Sequence, residues 1–460
     1  MAAASALSLE NVRRRSGILG GKTCITLLWG MIVMANGGLP PGGASALHAE
    51  SPAILSPSPL FFQERVSREM LLNDGVWTRA EFVGWDSRGL RFDTEEESGV
   101  FEAGGFISWG QSSVMPRQPL LLLVDGSVVA GQITSWDATE VTLVSNLWGE
   151  LTVPRDSVRG GLLKPLAGLK GRAGQLGTLS KDRPLDRIWV DGGDWLEVEA
   201  LQLIKSEGQL TEYEVRLQGS QRVLKVAVDR VWGISSGRLS EAESEKGPSD
   251  RWRWVFDDGT VLYVRSWEQR EDALEIALTS GIKLRSSPAN AGTLAARLRG
   301  ASTVPTGAVD LLIARPLQQG QVGWIGQDWA ATQKRRPEGG WMQIAGEVYQ
   351  NGLGVVGGNT RVYSLPEGTG RLRVWVGMDD SSPVDAAEVK IFVADRNGEW
   401  VKAAIWQARL LRGDRPGGGE VEFDAPGIRT IAINVQTPIK VGPSPLVDWL
   451  QVLALPASVE

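Results

Sequence analysis

Asp74-Gly75 and Asp125-Gly126 open two stretches that keep one spacing for 33 residues. Eleven positions after each Asp stands Trp-Asp (Trp85-Asp86, Trp136-Asp137). Sixteen and eighteen positions after it stand apolar residues (Leu90 and Phe92, Val141 and Leu143), and at 33 stand Ile107 and Val158. An Asp-Gly pair supplies the positive φ of a tight turn. Apolar residues two apart fall on one face of a strand. Offsets held this far without slipping mark an internal repeat, each copy reading as four or five short strands.

Weaker copies follow. Asp191 to Ile234 carries YEVRLQGSQRVLKVAVDRVWGI, an alternating hairpin pattern, and Asp258-Gly259 is followed by Trp267, Leu274 and Ile276. The sequence therefore predicts small β repeats at 64–114, 117–163, 185–238 and 251–286. The connections are Lys164–Pro184, Leu239–Asp250 and Ser286–Gly307, the last around a short helical LAARLRG. Trp85, Trp136 and Trp267 recur at one place in their copies and read as core or barrel-cap residues. The second copy, with LLLLVDGSVVAGQITSWDATEVTLV and the later Arg159-Gly160, resembles the Sm-type small barrel. That family's RNA pocket needs an Asn where this chain has Ala138-Thr139-Glu140, so the resemblance implies the barrel shape without RNA binding.

The 460 residues are too many for one core. Hydrophobic (42%) and charged (22%) fractions are those of a globular chain. Gly (56) and Pro (23) suit many turns, and Trp (19) outnumbers Tyr (4) and Phe (9). The single Cys (Cys24) and single His (His48) both precede residue 50. Beyond them there is no Cys/His zinc site, no disulfide, no Ser-His-Asp triad and no Cys nucleophile. Chemistry by paired carboxylates or Lys stays open.

Arg13-Arg14-Arg15 and Lys22 form a basic start, Thr23–Ala35 an apolar run, and Ala44-Ser45-Ala46 an A-x-A cleavage pattern. The run falls short of the roughly 20 residues that span a bilayer. Residues 1–46 thus read as a secretory signal peptide, the only membrane element expected, and predict a periplasmic, cell-surface or secreted protein. Its removal takes away four basic residues and one acidic residue, moving the net charge from −6 to −9. So acidic a chain is a poor nucleic-acid partner.

From Val309 the texture changes to eight or so short strands with almost no helix. Candidates are Gln343–Ile344, Thr360–Leu365, Arg371–Val376, Glu388–Ala394, Glu399–Ile405, Glu420–Phe423, Thr430–Gln436 and Trp449–Leu455. Asn397-Gly398 is a hairpin signal. The pattern predicts a jelly-roll or similar sandwich over 309–457. In Arg371–Val376, Leu372, Val374 and Val376 share one face and Arg371, Arg373 and Trp375 the other.

This segment resembles the NPCBM family, the "novel putative carbohydrate-binding module". The matching residues are Tyr349, Gly352-Leu353-Gly354, Tyr363, Leu365, Val376-Gly377, Asp379-Asp380, Phe392, Gly398 and Asp448-Trp449, within about residues 335–457. Where the family has His after GLG-x, this chain has Val356. The resemblance implies a galactose-binding-like β-sandwich, in an all-β protein with several small β-barrel-like repeats before it. It implies polysaccharide or glycan as partner.

Sugar rings stack on aromatic faces, and their hydroxyls need planar polar partners. The candidate ligand residues are Trp375, Arg373, Asp379, Asp380, Asn434, Trp341 and Trp400. If the strands of Trp375 and Asn434 neighbour each other, one polar-aromatic face results. Three roles are open to Asp379-Asp380: turn capping, a structural Ca²⁺, and acceptance of sugar hydroxyls. No other cofactor is expected. No separated carboxylate pair and no catalytic-sized domain stands out, so the reading is a non-catalytic, exported carbohydrate-binding protein. The alternative is an envelope scaffold whose sandwich and barrels contact envelope proteins.

Overall fold

The computed structural model describes residues 67–457 apart from 96–97, 113, 115–116, 180–183, 207–208, 238–250, 271–272, 287–292, 306, 313, 315, 322–331, 334–341, 350–351, 396, 424–427 and 437–442. The signal-peptide stretch and the connection Leu239–Asp250 lie outside the described residues. Among the described residues no helix is long and apolar enough to cross a membrane.

The chain is almost wholly β. β1 (Ser67–Leu72), β2 (Trp77–Trp85), β3 (Gly89–Thr94), β4 (Ser98–Glu102) and β5 (Phe106–Gly110) form an antiparallel meander. Its last strand returns to the first, giving the order β5-β1-β2-β3-β4. The second copy has β6 (Leu120–Leu123), β7 (Val128–Ala130), β8 (Gln132–Trp136), β9 (Glu140–Ser145), β10 (Gly149–Pro154) and β11 (Val158–Leu162). Here the second strand is split at Gly131 into β7 and β8, and the order is otherwise the same.

The third copy has β12 (Asp186–Val190), β13 (Trp195–Ser206), β14 (Gln209–Leu217), β15 (Val223–Ala227) and β16 (Val231–Ser235). The fourth has β17 (Arg251–Phe256), β18 (Val261–Gln269), β19 (Leu274–Leu278), β20 (Lys283–Arg285) and β21 (Leu298–Val304). Both repeat the pairing of last strand to first. The stretches read as connections are partly structured. A helix spans Leu169–Leu179, and β21, the closing strand of the fourth copy, falls inside Ser286–Gly307.

The repeated residues have repeated jobs. In the first turn of three copies an Asp Oδ1 accepts the N–H two residues on: Val76 (2.9 Å), Ser127 (2.8 Å) and Thr260 (2.8 Å). The Gly between them sits at φ 84°, 89° and 91°, where a side chain is strained. The Asp of each Trp-Asp pair folds the next turn. Asp86 accepts from Arg88 N–H and Asp137 from those of Thr139 and Glu140, and these bonds hold both carboxyls below their ordinary range. Trp136 is fully buried, while Trp85 and Trp267 pack half-buried against the same core.

Copies join edge to edge. β5 pairs with β21 through Gly110 and Gly300, and β11 pairs with β16. A Cβ on Gly300 would lie 1.9 Å from Gln111 O, and one on Gly160 would lie 2.6 Å from Ile234 O, so the closing-strand glycines permit the approach. The second and fourth copies meet reciprocally. Ser127 Oγ accepts from Tyr263 N–H (2.9 Å), and Thr260 Oγ1 accepts from Ala130 N–H (3.1 Å).

Asp258, in the first turn of the fourth copy, keeps one oxygen in that turn, while Oδ2 is buried with no hydrogen-bond partner among the described residues. Burial raises its pKa. A carboxyl raised on folding binds its proton more tightly in the native state, so its charge costs stability at neutral pH and nothing well below the unfolded pKa. Asp258→Asn keeps the turn acceptor and removes the buried charge. The variant is expected to melt a few degrees above wild type at pH 7, with the gain vanishing near pH 3, as read by thermal denaturation at both pH values.

The C-terminal strands are β22 (Val309–Asp310), β23 (Gln318–Gln321), β24 (Thr332–Gln333), β25 (Met342–Ile344), β26 (Glu347–Tyr349), β27 (Leu353–Val356), β28 (Asn359–Ser364), β29 (Thr369–Met378), β30 (Ala386–Ala394), β31 (Trp406–Leu411), β32 (Gly417–Glu422), β33 (Thr430–Gln436) and β34 (Leu446–Pro456). They make a two-sheet sandwich. The first sheet runs β24-β27-β34-β29-β32 with β22 also on β34, and the second runs β23-β28-β33-β30-β31. Leu372, Val374 and Val376 of the first sheet share a core with Val389, Ile391, Ile431 and Ile433 of the second. The strand expected at Glu399–Ile405 forms later, as β31. Only a bridge between Ala394 and Trp400 precedes it.

The outer face of the first sheet is covered by the first and fourth copies. Trp375 packs with Leu71, Ile107, Ile344, Tyr349 and Leu450. Arg373 reaches Gly104 O (2.9 Å), Phe106 O (3.4 Å) and Thr303 O (3.3 Å). The turn at Asn73–Gly75 lies on the glycine run of β32: Glu420 N–H donates to Asn73 O (2.7 Å), and a Cβ on Gly75 would lie 2.5 Å from Gly418 O.

Candidate functional site

The second sheet turns its other face outward. Alternation along β28 buries Arg361 and Tyr363 and leaves Thr360 and Val362 half-exposed. Along β30, Val389, Ile391 and Val393 point into the core, which turns Lys390 and Phe392 out. The register then builds rows across the sheet. Gln318 pairs with Val362, Val362 with Ala432, and Ala432 with Phe392. The next row is Thr360, Asn434, Lys390 and Gln407.

Trp400 is brought onto this face by a tight turn. Asp395 Oδ1 accepts from Asn397 N–H (2.8 Å) and Glu399 N–H (2.9 Å), Gly398 sits at φ 80°, and Trp400 bridges back to Ala394. The result is a shallow depression of about 350 Å³ lined by Gln318, Thr360, Val362, Phe392, Trp400 and Ala432. Trp400 is 45% exposed. In the row next to Ala432, on the side away from Trp400, Asn434 Nδ2 donates to Thr360 Oγ1 at 2.6 Å, and among the described residues Asn434 Oδ1 has no hydrogen-bond partner. On β30, Glu388 lies 3.7 Å from Lys390 and directly opposite Arg409.

Of the residues singled out from the sequence, Trp400 and Asn434 fall on this face. Arg373 and Trp375 do not. Their strand, β29, belongs to the first sheet and never neighbours the β33 of Asn434, so the shared face does not form. The alternation of β29 is as expected, but its polar side is buried too: Arg373 is 0% and Trp375 8% exposed. Burial pulls the Arg373 guanidinium below its ordinary pKa, with Glu420 opposing.

Asp379 and Asp380 clamp a hairpin. Asp379 is buried; it accepts from Ser381 N–H (2.8 Å), Ser381 Oγ and Gln343 N–H (3.1 Å). Asp380 accepts from Ala345 and Gly346 N–H, each at 2.8 Å, which holds the β25–β26 turn with Ala345 at φ 50°. Their carboxylates thus face backbone donors. Trp341 lies outside the described residues. Among the described residues no cluster of three or more His, Cys, Asp or Glu is arranged to hold a metal.

Sequence reasoning missed Gln318, Thr360, Val362, Phe392 and Ala432 as a group. One signal was available. Phe392 stands on the Lys390 side of an alternating strand, where an aromatic is out of place unless it has a surface role.

These sheets and their order define an antiparallel β-sandwich with one open face. Residues 314–452 match the family model of the NPCBM/NEW2 domain, and the C-terminal part of the chain is an NPCBM-type domain. No curated protein matches the chain. Among solved structures it is similar to the CBM51 of a Clostridium perfringens GH95 protein in complex with methyl-galactose, at 16% identity and TM-score 0.26, over 32% of this chain and 99% of that one. It is similar to the tandem CBM51 modules of a family 98 glycoside hydrolase from Streptococcus pneumoniae, at 11% identity and TM-score 0.27, over 73% and 87%. A further likeness, to CBM51-2 in complex with GlcNAc and INT domains from Clostridium perfringens ZmpB, has 15% identity and TM-score 0.26, over 43% of this chain and 41% of that one.

Proposed function

We propose that this protein is an exported, non-catalytic carbohydrate-binding protein that holds glycan on the outer face of its second sheet. The observation that carries this reading is the depression floored by Phe392, Ala432 and Val362 and walled by the exposed Trp400. An indole face beside a shallow apolar floor suits the C–H face of a pyranose, and the amide and hydroxyl of Asn434 and Thr360 suit its hydroxyls. The NPCBM match supports sugar as the ligand class. Val356, where the family has His, lies on β27 of the opposite sheet and so does not bear on this face. None of the six lining residues is a carboxylate, whereas glycosidases need two.

The test is a glycan array followed by titration calorimetry with the full chain. Binding to at least one glycan is expected, and Trp400→Ala should weaken it about tenfold or more, the scale of losing one buried stacking contact. Folded protein that binds no glycan, or binding that Trp400→Ala leaves intact, would overturn the proposal.

A further inference from the structure

We infer that the face takes an internal stretch of a neutral glycan chain, laid across the strands, rather than a chain end. The inference rests on the glycan-binding reading above and specifies its ligand. The register puts Phe392, Ala432, Val362 and Gln318 in one line that crosses four strands, and Trp400, bridged to Ala394 two residues along β30, stands as a wall at the Phe392 end. At the usual strand spacing the three steps from Phe392 to Gln318 alone measure about 14 Å. One sugar ring cannot fill such a line; several joined rings can.

The shape of the site argues against a chain end. A site for a terminal sugar closes around it, with polar groups converging on the last hydroxyls. Here the described lining is a floor with a wall at Trp400, and the polar side chains run beside the floor as a second row: Thr360, Asn434 and Lys390. A row of partners parallel to an apolar line matches a ligand that repeats along its length. The charge pattern selects a neutral chain. The six lining residues carry no charge, and Lys390 in the second row has Glu388 3.7 Å away, so the floor offers no charged partner to an acidic or basic glycan.

Calorimetry with xylo-, cello- and β-1,4-galacto-oligosaccharides of one to six units tests this on the full chain. For the series that binds, affinity should climb about tenfold or more from the disaccharide to the tetrasaccharide and then level off, as each added ring adds contacts until the line is full. A tetrasaccharide O-methylated at both terminal positions should bind as well as the free one. Gln318→Ala should weaken the tetrasaccharide severalfold more than the disaccharide, because Gln318 lies at the end remote from Trp400.

Equal affinity for monosaccharide and tetrasaccharide, or loss of binding on capping the ends, would overturn the inference while leaving glycan binding in place. Silence of all three series alongside a positive array hit on a charged or terminal epitope would do the same. Silence of the array itself would overturn both.

Discussion

Arg373→Met is expected to destabilise the protein by about 3 kcal/mol, the low end of what removing one partner of a buried ion pair costs. Arg373 is fully buried and ties three parts of the chain together. Its Nε and Nη2 donate to Glu420 Oε1 at 2.9 and 2.6 Å, and its other donors reach backbone of the first and fourth copies. Those carbonyls do not all become orphans on truncation. Asn73 Nδ2 also donates to Gly104 O, Thr303 Oγ1 to Phe106 O (2.6 Å) and Gln451 Nε2 to Thr303 O (3.4 Å). Glu420 keeps Arg371 Nη1 at 3.1 Å.

The main penalty is therefore a Glu420 carboxylate, only 12% exposed, that has lost its better partner. Adding Glu420→Gln to Arg373→Met should recover about 1 kcal/mol by removing the stranded charge. Denaturant unfolding of wild type, both single variants and the double variant checks this. A single Arg373→Met variant as stable as wild type would mean that the sandwich does not lean on the repeats in solution.

That dependence explains what could and could not be read from the sequence. The small repeats were legible because Asp-Gly turns and Trp-Asp corners act locally. Each Asp bonds the backbone two or three residues on, so its spacing survives as a sequence pattern. The alternation of Leu372, Val374 and Val376 was legible for the same reason: strand period is local. What lies against the other side of β29 is not local. The groups that bury Arg373 and Trp375 come from positions about 25 to 300 residues away, and a half-exposed strand and a doubly covered one share one binary pattern. The reading of Asp379-Asp380 stopped short similarly, since their partners at 343–346 form a hairpin recognisable only once folded. Trp400 and Asn434 were singled out by residue type. The floor between them was missed because Phe392, Ala432 and Val362 become neighbours only through the register of three strands.

Trp375→Ala separates the two tryptophans that the sequence made look alike. Trp375 is 8% exposed and meets Tyr349 edge-on at 5.6 Å, within the apolar layer that seals the sandwich to the first copy. Truncating a buried Trp to Ala costs about 3–5 kcal/mol. Among the described residues its Nε1 has no hydrogen-bond partner, so the loss here is packing and should fall near the lower figure. Trp375→Phe, which removes that orphaned donor and keeps an aromatic ring, should cost markedly less. Trp400 is the converse case. It stands exposed on the other sheet, makes no contact with the sealing layer, and its truncation should leave the unfolding midpoint unchanged within error while weakening glycan binding. Unfolding curves and calorimetric titrations of the two alanine variants, run side by side below the Trp375→Ala transition, give the crossed outcome directly. Loss of binding in Trp375→Ala at unchanged stability, with Trp400→Ala binding normally, would move the site to the first sheet and reverse the assignment of the two faces.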